Sequence, residues 1–112
     1  MLQKIEKMDR PVVHDLIKYW LDETAHLDDV EMIAKHWAFK EIVKEGIPIR
    51  RILLQELTDG GSPMISMLLC NIPGSPYPFF SLVCKDQLAA QWLAWGEKYQ
   101  QFVHAPQPRL GF

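Results

Sequence analysis

The chain has 112 residues and a formal net charge of −2. With 48% apolar and 23% charged residues its composition is that of a globular domain, which excludes a disordered tail, a collagen-like chain and a low-complexity linker. One domain over residues 1–112 is expected, and the slight acidity argues against a general nucleic-acid binder, which carries a basic excess.

The first residues, Met1 to Lys7, lack the apolar stretch of a signal peptide. No apolar run approaches the length of a membrane span, so a cytoplasmic protein without membrane contact is expected. A first helix is predicted from about Pro11 to Glu23, because proline lacks only an N–H that a first turn leaves unpaired anyway. Val13, Leu16, Ile17, Trp20 and Leu21 recur at helical spacing and form its apolar stripe. A second helix is predicted from Asp28 to Gly46. Asp28 serves as N-cap with Glu31 three residues on, Leu27 and Met32 form a hydrophobic staple, and Gly46 supplies a left-handed end. Val30, Ile33, Ala34 and Trp37 make its stripe, widened by Phe39, Ile42 and Val43. Trp20 and Trp37 are thus expected to meet inside the first hairpin.

A third helix is predicted from Pro48 to about Leu57, with Ile49, Ile52, Leu53 and Leu57 inward and Arg50, Arg51, Gln55 and Glu56 outward. Asp59-Gly60-Gly61 breaks the chain. Ser62-Pro63 opens a fourth helix carrying Ile65, Leu68, Leu69 and Ile72, which stops at Pro73-Gly74. Residues 73–80 are too rich in proline for a helix; Tyr77, Phe79 and Phe80 are costly to leave in water and predict an ordered loop. A fifth helix is predicted from Leu82 or Asp86 to Val103, with Cys84, Leu88, Trp92, Trp95, Tyr99 and Phe102 on a heptad-like seam. An extended, Pro-containing tail follows over 104–112. Strand-type alternation is missing. The expected fold is all-α, about five helices in stacked antiparallel hairpins around a single core spanning about residues 11–103.

The order of these segments carries a resemblance. Trp20-Leu21-Asp22-Glu23-Thr24, His36-Trp37-Ala38-Phe39, Gly46, Leu53-Leu54-Gln55-Glu56-Leu57, Ile72-Pro73-Gly74-Ser75-Pro76 and Trp92-Leu93-Ala94-Trp95-Gly96 follow one another. In that order, over about residues 16 to 100, the chain resembles a group of short, functionally unassigned bacterial proteins frequent in cyanobacteria. The resemblance implies HEAT-like helical hairpins, which are binding scaffolds, and implies no activity. The chain departs from the group's pattern at two places: Arg51 stands near an expected proline, and Met64-Ile65-Ser66-Met67 replaces an expected Trp-rich stretch. The two departures mark a candidate partner-specific surface.

Little in the sequence points to catalysis. No two of His14, His26, His36 and His104 stand three or four residues apart, so no local metal motif forms. Asp22 and His26 read as a simple side-chain pair. Cys70 and Cys84 lie in apolar neighbourhoods and read as buried free thiols. Asp59-Gly60-Gly61 lacks the lysine of a phosphate loop. The expectation is a protein that is not an enzyme and uses no cofactor or metal. It would act by binding another protein or by self-association, as an antitoxin or immunity-type factor or a subunit of a defence or regulatory complex. Candidate partner-binding residues are Trp95, Tyr99, Phe102 and Phe112 on the last helix and tail, with Arg50 and Arg51; Trp92 is assigned to the core. Two alternatives are a nucleic-acid-associated regulator using Arg50, Arg51, Lys40 and Lys44, and a small-molecule-binding helical domain with an aromatic-lined cavity.

Overall fold

Asp9 opens the first helix, α1 (Arg10–Thr24), its carboxylate accepting the Val12 amide at 3.3 Å, with Pro11 in the first turn as expected. The computed structural model describes residues 9–98. It is all-α: α2 (Val30–Ala34), α3 (Trp37–Lys44), a 3-10 turn (Ile47–Ile49) running into α4 (Arg50–Thr58), then α5 (Ile65–Cys70) and α6 (Lys85–Lys98) follow α1. No strand occurs among the described residues. The fifth predicted helix corresponds to α6; its expected continuation to Val103 and the tail 104–112 lie outside the described residues.

The helix expected from Asp28 to Gly46 is two helices. Asp29, not Asp28, caps α2 by accepting the Glu31 amide at 3.0 Å. The helix then breaks at Lys35 and His36. The Ile33 carbonyl, which in a continuous helix would take the Trp37 amide, instead accepts the His36 amide at 3.4 Å and the Trp20 indole N–H at 3.1 Å. His36, in extended conformation, restarts the chain as N-cap of α3, its Nδ1 accepting the Ala38 amide at 3.1 Å. Histidine is outside the usual set of cap residues, so local sequence rules pass over this break. Beyond it the helix face is rotated, and this overturns the expected Trp20–Trp37 pair. Trp20 is fully buried and meets Phe39 at 5.4 Å, whereas Trp37 is 54% exposed.

The core gathers Val13, Ile17 and Trp20 from α1, Ile33, Phe39 and Ile42 from α2 and α3, Leu53, Leu54 and Leu57 from α4, Ile65 and Met67 to Cys70 from α5, and Leu88 and Trp92 from α6. Helix α1 packs chiefly on α3, and α4, α5 and α6 pack on one another. Gly60, at φ +96°, and Gly61 turn the chain between α4 and α5. The Gly61 amide donates to the Glu56 carbonyl at 2.9 Å, and a Cβ on Gly61 would stand 2.6 Å from that oxygen. Any side chain there displaces the turn.

Other sequence assignments change. The Met64–Met67 stretch, a candidate partner surface, is core: Ile65, Ser66 and Met67 are buried and Met64 packs against them. Cys70 is buried as expected, but Cys84 is exposed, because α6 begins at Lys85 and leaves it on the connection. In that connection Tyr77 packs edge-on against Trp92 at 5.1 Å, while Phe79 is 87% exposed despite the expectation of an inward aromatic. Arg50 and Glu56, both expected to face out, are buried.

The two tryptophans of the first helices therefore differ in weight. Trp20→Ala removes a buried ring and its hydrogen bond and is expected to cost about 3–5 kcal/mol in urea denaturation. Trp37→Ala is expected to stay within about 1 kcal/mol of wild type. Equal losses would contradict this assignment.

Candidate functional site

Helix α1 uses three of its faces. Val13, Ile17, Trp20 and Thr24 form the buried stripe. On one flank of it stand Arg10 and His14. On the other stand Val12, Leu16, Tyr19 and Glu23, at spacings of four, three and four, a second line along the helix. This second line meets the start of α3. Tyr19, His36 and Trp37 form a mutual cluster, with ring centroids 5.5 Å apart for Tyr19–His36, 5.6 Å for Tyr19–Trp37 and 5.7 Å for the stacked His36–Trp37 pair. Val12, Asp15, Leu16, Tyr19 and Trp37 line an open groove of about 410 Å³. Val12, Tyr19 and Trp37 each keep more than two fifths of their surface in solvent.

His36 fixes the geometry of this cluster. Its Nδ1 accepts the Ala38 amide, so that nitrogen carries no proton, and its Nε2–H donates to Glu23 Oε1 at 3.2 Å. Glu23 and the cap thus hold the ring from both ends, and the exposed Trp37 is seated on it. Burying an aromatic that is already held in place costs a partner little ordering entropy.

The opposite flank of α1 is tied to α4 by charge. The Glu56 carboxylate is only 7% exposed. Its Oε2 accepts from Arg10 Nε at 2.6 Å and its Oε1 from His14 Nδ1 at 2.7 Å. Arg10 Nη2 also reaches Asp59 Oδ2 at 2.5 Å. Burial would push the Glu56 carboxyl up, but the hydrogen bonds from Arg10 and His14 outweigh it and hold the group below the ordinary glutamate range. The bond from Arg10 likewise holds Asp59 below the usual aspartate range. A shallow depression lined by Arg10, Pro11, His14, Asp15 and Glu56 marks this flank, but its polar groups are already spent on one another.

The sequence-predicted binding residues are not gathered into a ridge by the described structure. Trp95 is half-buried, lies edge-on to the buried Trp92 at 5.5 Å and carries the Arg50 guanidinium 5.1 Å above its ring. Arg51 is exposed, and Tyr99, Phe102 and Phe112 lie outside the described residues. Burial of Arg50 takes one cation from the basic patch envisaged with Arg51, Lys40 and Lys44, and Lys44 bonds to Glu41 at 3.3 Å. The groove residues Val12, Tyr19 and Trp37 were not among the sequence candidates. Their legible signal is the second stripe on α1; the exposure of Trp37 depends on the break at His36.

No cluster of three or more His, Cys, Asp or Glu positioned for a metal ion occurs among the described residues. Burial pushes the Cys70 thiol up, against a smaller opposing effect of Trp92, so it is a poor nucleophile. Nor is any described helix long and apolar enough to cross a membrane. No protein-family model, curated protein or solved structure matches this chain.

The charge cluster generates a pH dependence with a definite sign. A carboxyl whose folded pKa is depressed contributes stability that is fully present above its unfolded value and is lost as pH falls through the folded value. Stability is therefore expected to decline from about pH 4.3 downward. Glu56→Gln keeps the volume and removes the charge. Because Arg10 and His14 are half-exposed and solvent-screened, the expected loss at pH 7 is about 1–2 kcal/mol. The variant should also show a flatter acid limb in urea titrations between neutral pH and pH 3. An unchanged acid limb would contradict the assignment.

Proposed function

We propose that this chain is a non-catalytic protein-interaction module that presents the α1–α3 groove to a partner protein. The observation that carries this reading is Trp37: a tryptophan 54% exposed, held against Tyr19 and a histidine that is itself bonded at both ring nitrogens. Tryptophan and tyrosine dominate the energetics of protein interfaces, and an exposed apolar cluster on regular helices is the usual mark of one. The groove runs along one helix and has apolar walls with Asp15 in its lining. That shape and charge suit an amphipathic helix whose apolar side carries residues three and four apart and whose rim carries a cation facing Asp15. The resemblance to short bacterial proteins with HEAT-like hairpins, as binding scaffolds, supports the same reading, with an accessory subunit of a regulatory or defence complex as the setting. Phe79 and Val83 are also exposed, but they stand on the connection between α5 and α6 rather than on a helical surface.

The test is affinity capture from the source organism with the wild-type chain and with a Tyr19→Ser/Trp37→Ser variant. Both substitutions are at the surface, so the variant is expected to keep its helical circular dichroism and most of its thermal stability. A protein captured by the wild type and reduced at least tenfold with the variant supports the groove. Equal capture by both would place the interface elsewhere, with Tyr99, Phe102 and Phe112 the next residues to replace.

A further inference from the structure

Arg50 is the most anomalous side chain of the described structure. It is 8% exposed, and its Nε and Nη2 are shielded from solvent without a hydrogen-bond partner. These two nitrogens form one edge of the guanidinium, with parallel N–H bonds spaced to match the two oxygens of an oxyanion. Its flat face lies over Trp95, 5.1 Å from the ring centroid, and Trp95 in turn abuts the buried Trp92. Elsewhere in the molecule buried charge is answered: Glu56, similarly buried, takes bonds from two side chains. At Arg50 burial disfavours the charged form, and no carboxylate among the described residues is paired with its buried Nε/Nη2 edge. A guanidinium does not escape by deprotonation, since it stays charged in proteins, and an unpaired buried donor edge is costly.

We propose that the Nε/Nη2 edge of Arg50 is a receptor for a carboxylate group, held bidentately beside Trp95. The inference is independent of the α1–α3 groove, since Arg50 is on α4 and its platform is on α6. Charge and size select the ligand. One buried cation balances one negative charge, whereas a phosphate dianion would bring a second charge into a water-poor site that has no second buried cation among the described residues. Both donors are closed off from solvent, so a ligand reaches them only by displacing neighbouring side chains, and a small planar head displaces least. Such a head is offered by a free short-chain carboxylate or by the tip of an aspartate or glutamate side chain.

The experiment uses formate as probe. In uniformly 15N-labelled protein the Arg50 Nε–Hε cross-peak, assigned by its absence from Arg50→Met, is expected to shift saturably with sodium formate and not with sodium chloride at equal ionic strength. Formate is also expected to raise the melting temperature of the wild type by several degrees over chloride, and to give no such difference in Arg50→Met. That variant exchanges a buried, unpaired charge for an apolar chain of similar length, so it is expected to fold at least as stably as the wild type in chloride. Should it fail to fold, Arg50→Lys, which keeps the charge and lacks the Nε–Hε, supplies the assignment for the wild-type titration. An unresponsive cross-peak, or an equal effect of formate and chloride, overturns the proposal; so does a phosphate response as large as that to formate. Repeating the titration with N-acetylglutamate amide separates the two sources. A response to it as well assigns the site to an acidic side chain, and a response to formate alone assigns it to a free small carboxylate.

Discussion

A carboxylate withdrawn from water must either keep donors around it or give up its charge. Glu56 keeps them, and the rest of the arrangement follows from where they stand. Arg10 and His14 are one turn apart on α1, so satisfying Glu56 fixes both the distance and the rotation of α1 against α4. With that flank committed to charge and the adjoining stripe committed to the core, Val12, Leu16 and Tyr19 are left for the third face. The apolar line toward α3 is thus a consequence of the two other faces being occupied. The turn after α4 adds to the constraint, because the Glu56 carbonyl is bonded by Gly61 at 2.9 Å. The same residue therefore anchors α1 through its side chain and closes α4 through its backbone.

The second determinant is the break between α2 and α3. Trp20 buries its ring under α3 and needs an acceptor for its indole N–H; the Ile33 carbonyl becomes available because the helix does not continue past it. His36 then pays for the interruption by capping the new helix. Its other nitrogen is bonded to Glu23 of α1, which brings Tyr19, His36 and Trp37 together. Buried packing, a helix break and an exposed aromatic cluster are in this way one linked feature. A change at His36 would act on the groove through the position of Trp37, without any contact between His36 and a partner being required.

The sequence makes the helical class and much of the core legible, and physical chemistry explains why. Val13, Ile17, Leu53, Leu68, Leu69 and Trp92 stand at helical periods between strong Gly and Pro breaks, and all are buried. What the sequence conceals is whatever depends on partners distant along the chain. Glu56 and Arg50 have the polarity of surface residues; one is buried because Arg10, 46 residues away, neutralises it, and the other because Trp95 covers it. Trp37 has the hydrophobicity of a core residue and is turned outward by a cap that propensity rules do not anticipate. Function is the least legible, since periodicity alone does not separate a tryptophan used for packing from one used for recognition. A second apolar stripe on α1 is a sequence signal for the groove; nothing local signals that the Nε/Nη2 edge of Arg50 is left without an acceptor.

The central claim is that the buried Glu56 carboxylate, through Arg10, orients α1 and hence the face it presents. A double-mutant cycle on Arg10→Ala and Glu56→Gln, measured by urea denaturation at pH 7, tests it most directly, because it isolates the pair from the separate consequences of each change. A coupling energy of at least about 1 kcal/mol is expected, within the range found for residues sharing one hydrogen-bonded network. Additivity of the two losses to within about 0.3 kcal/mol would contradict it, and would mean that α1 is oriented by the core stripe alone.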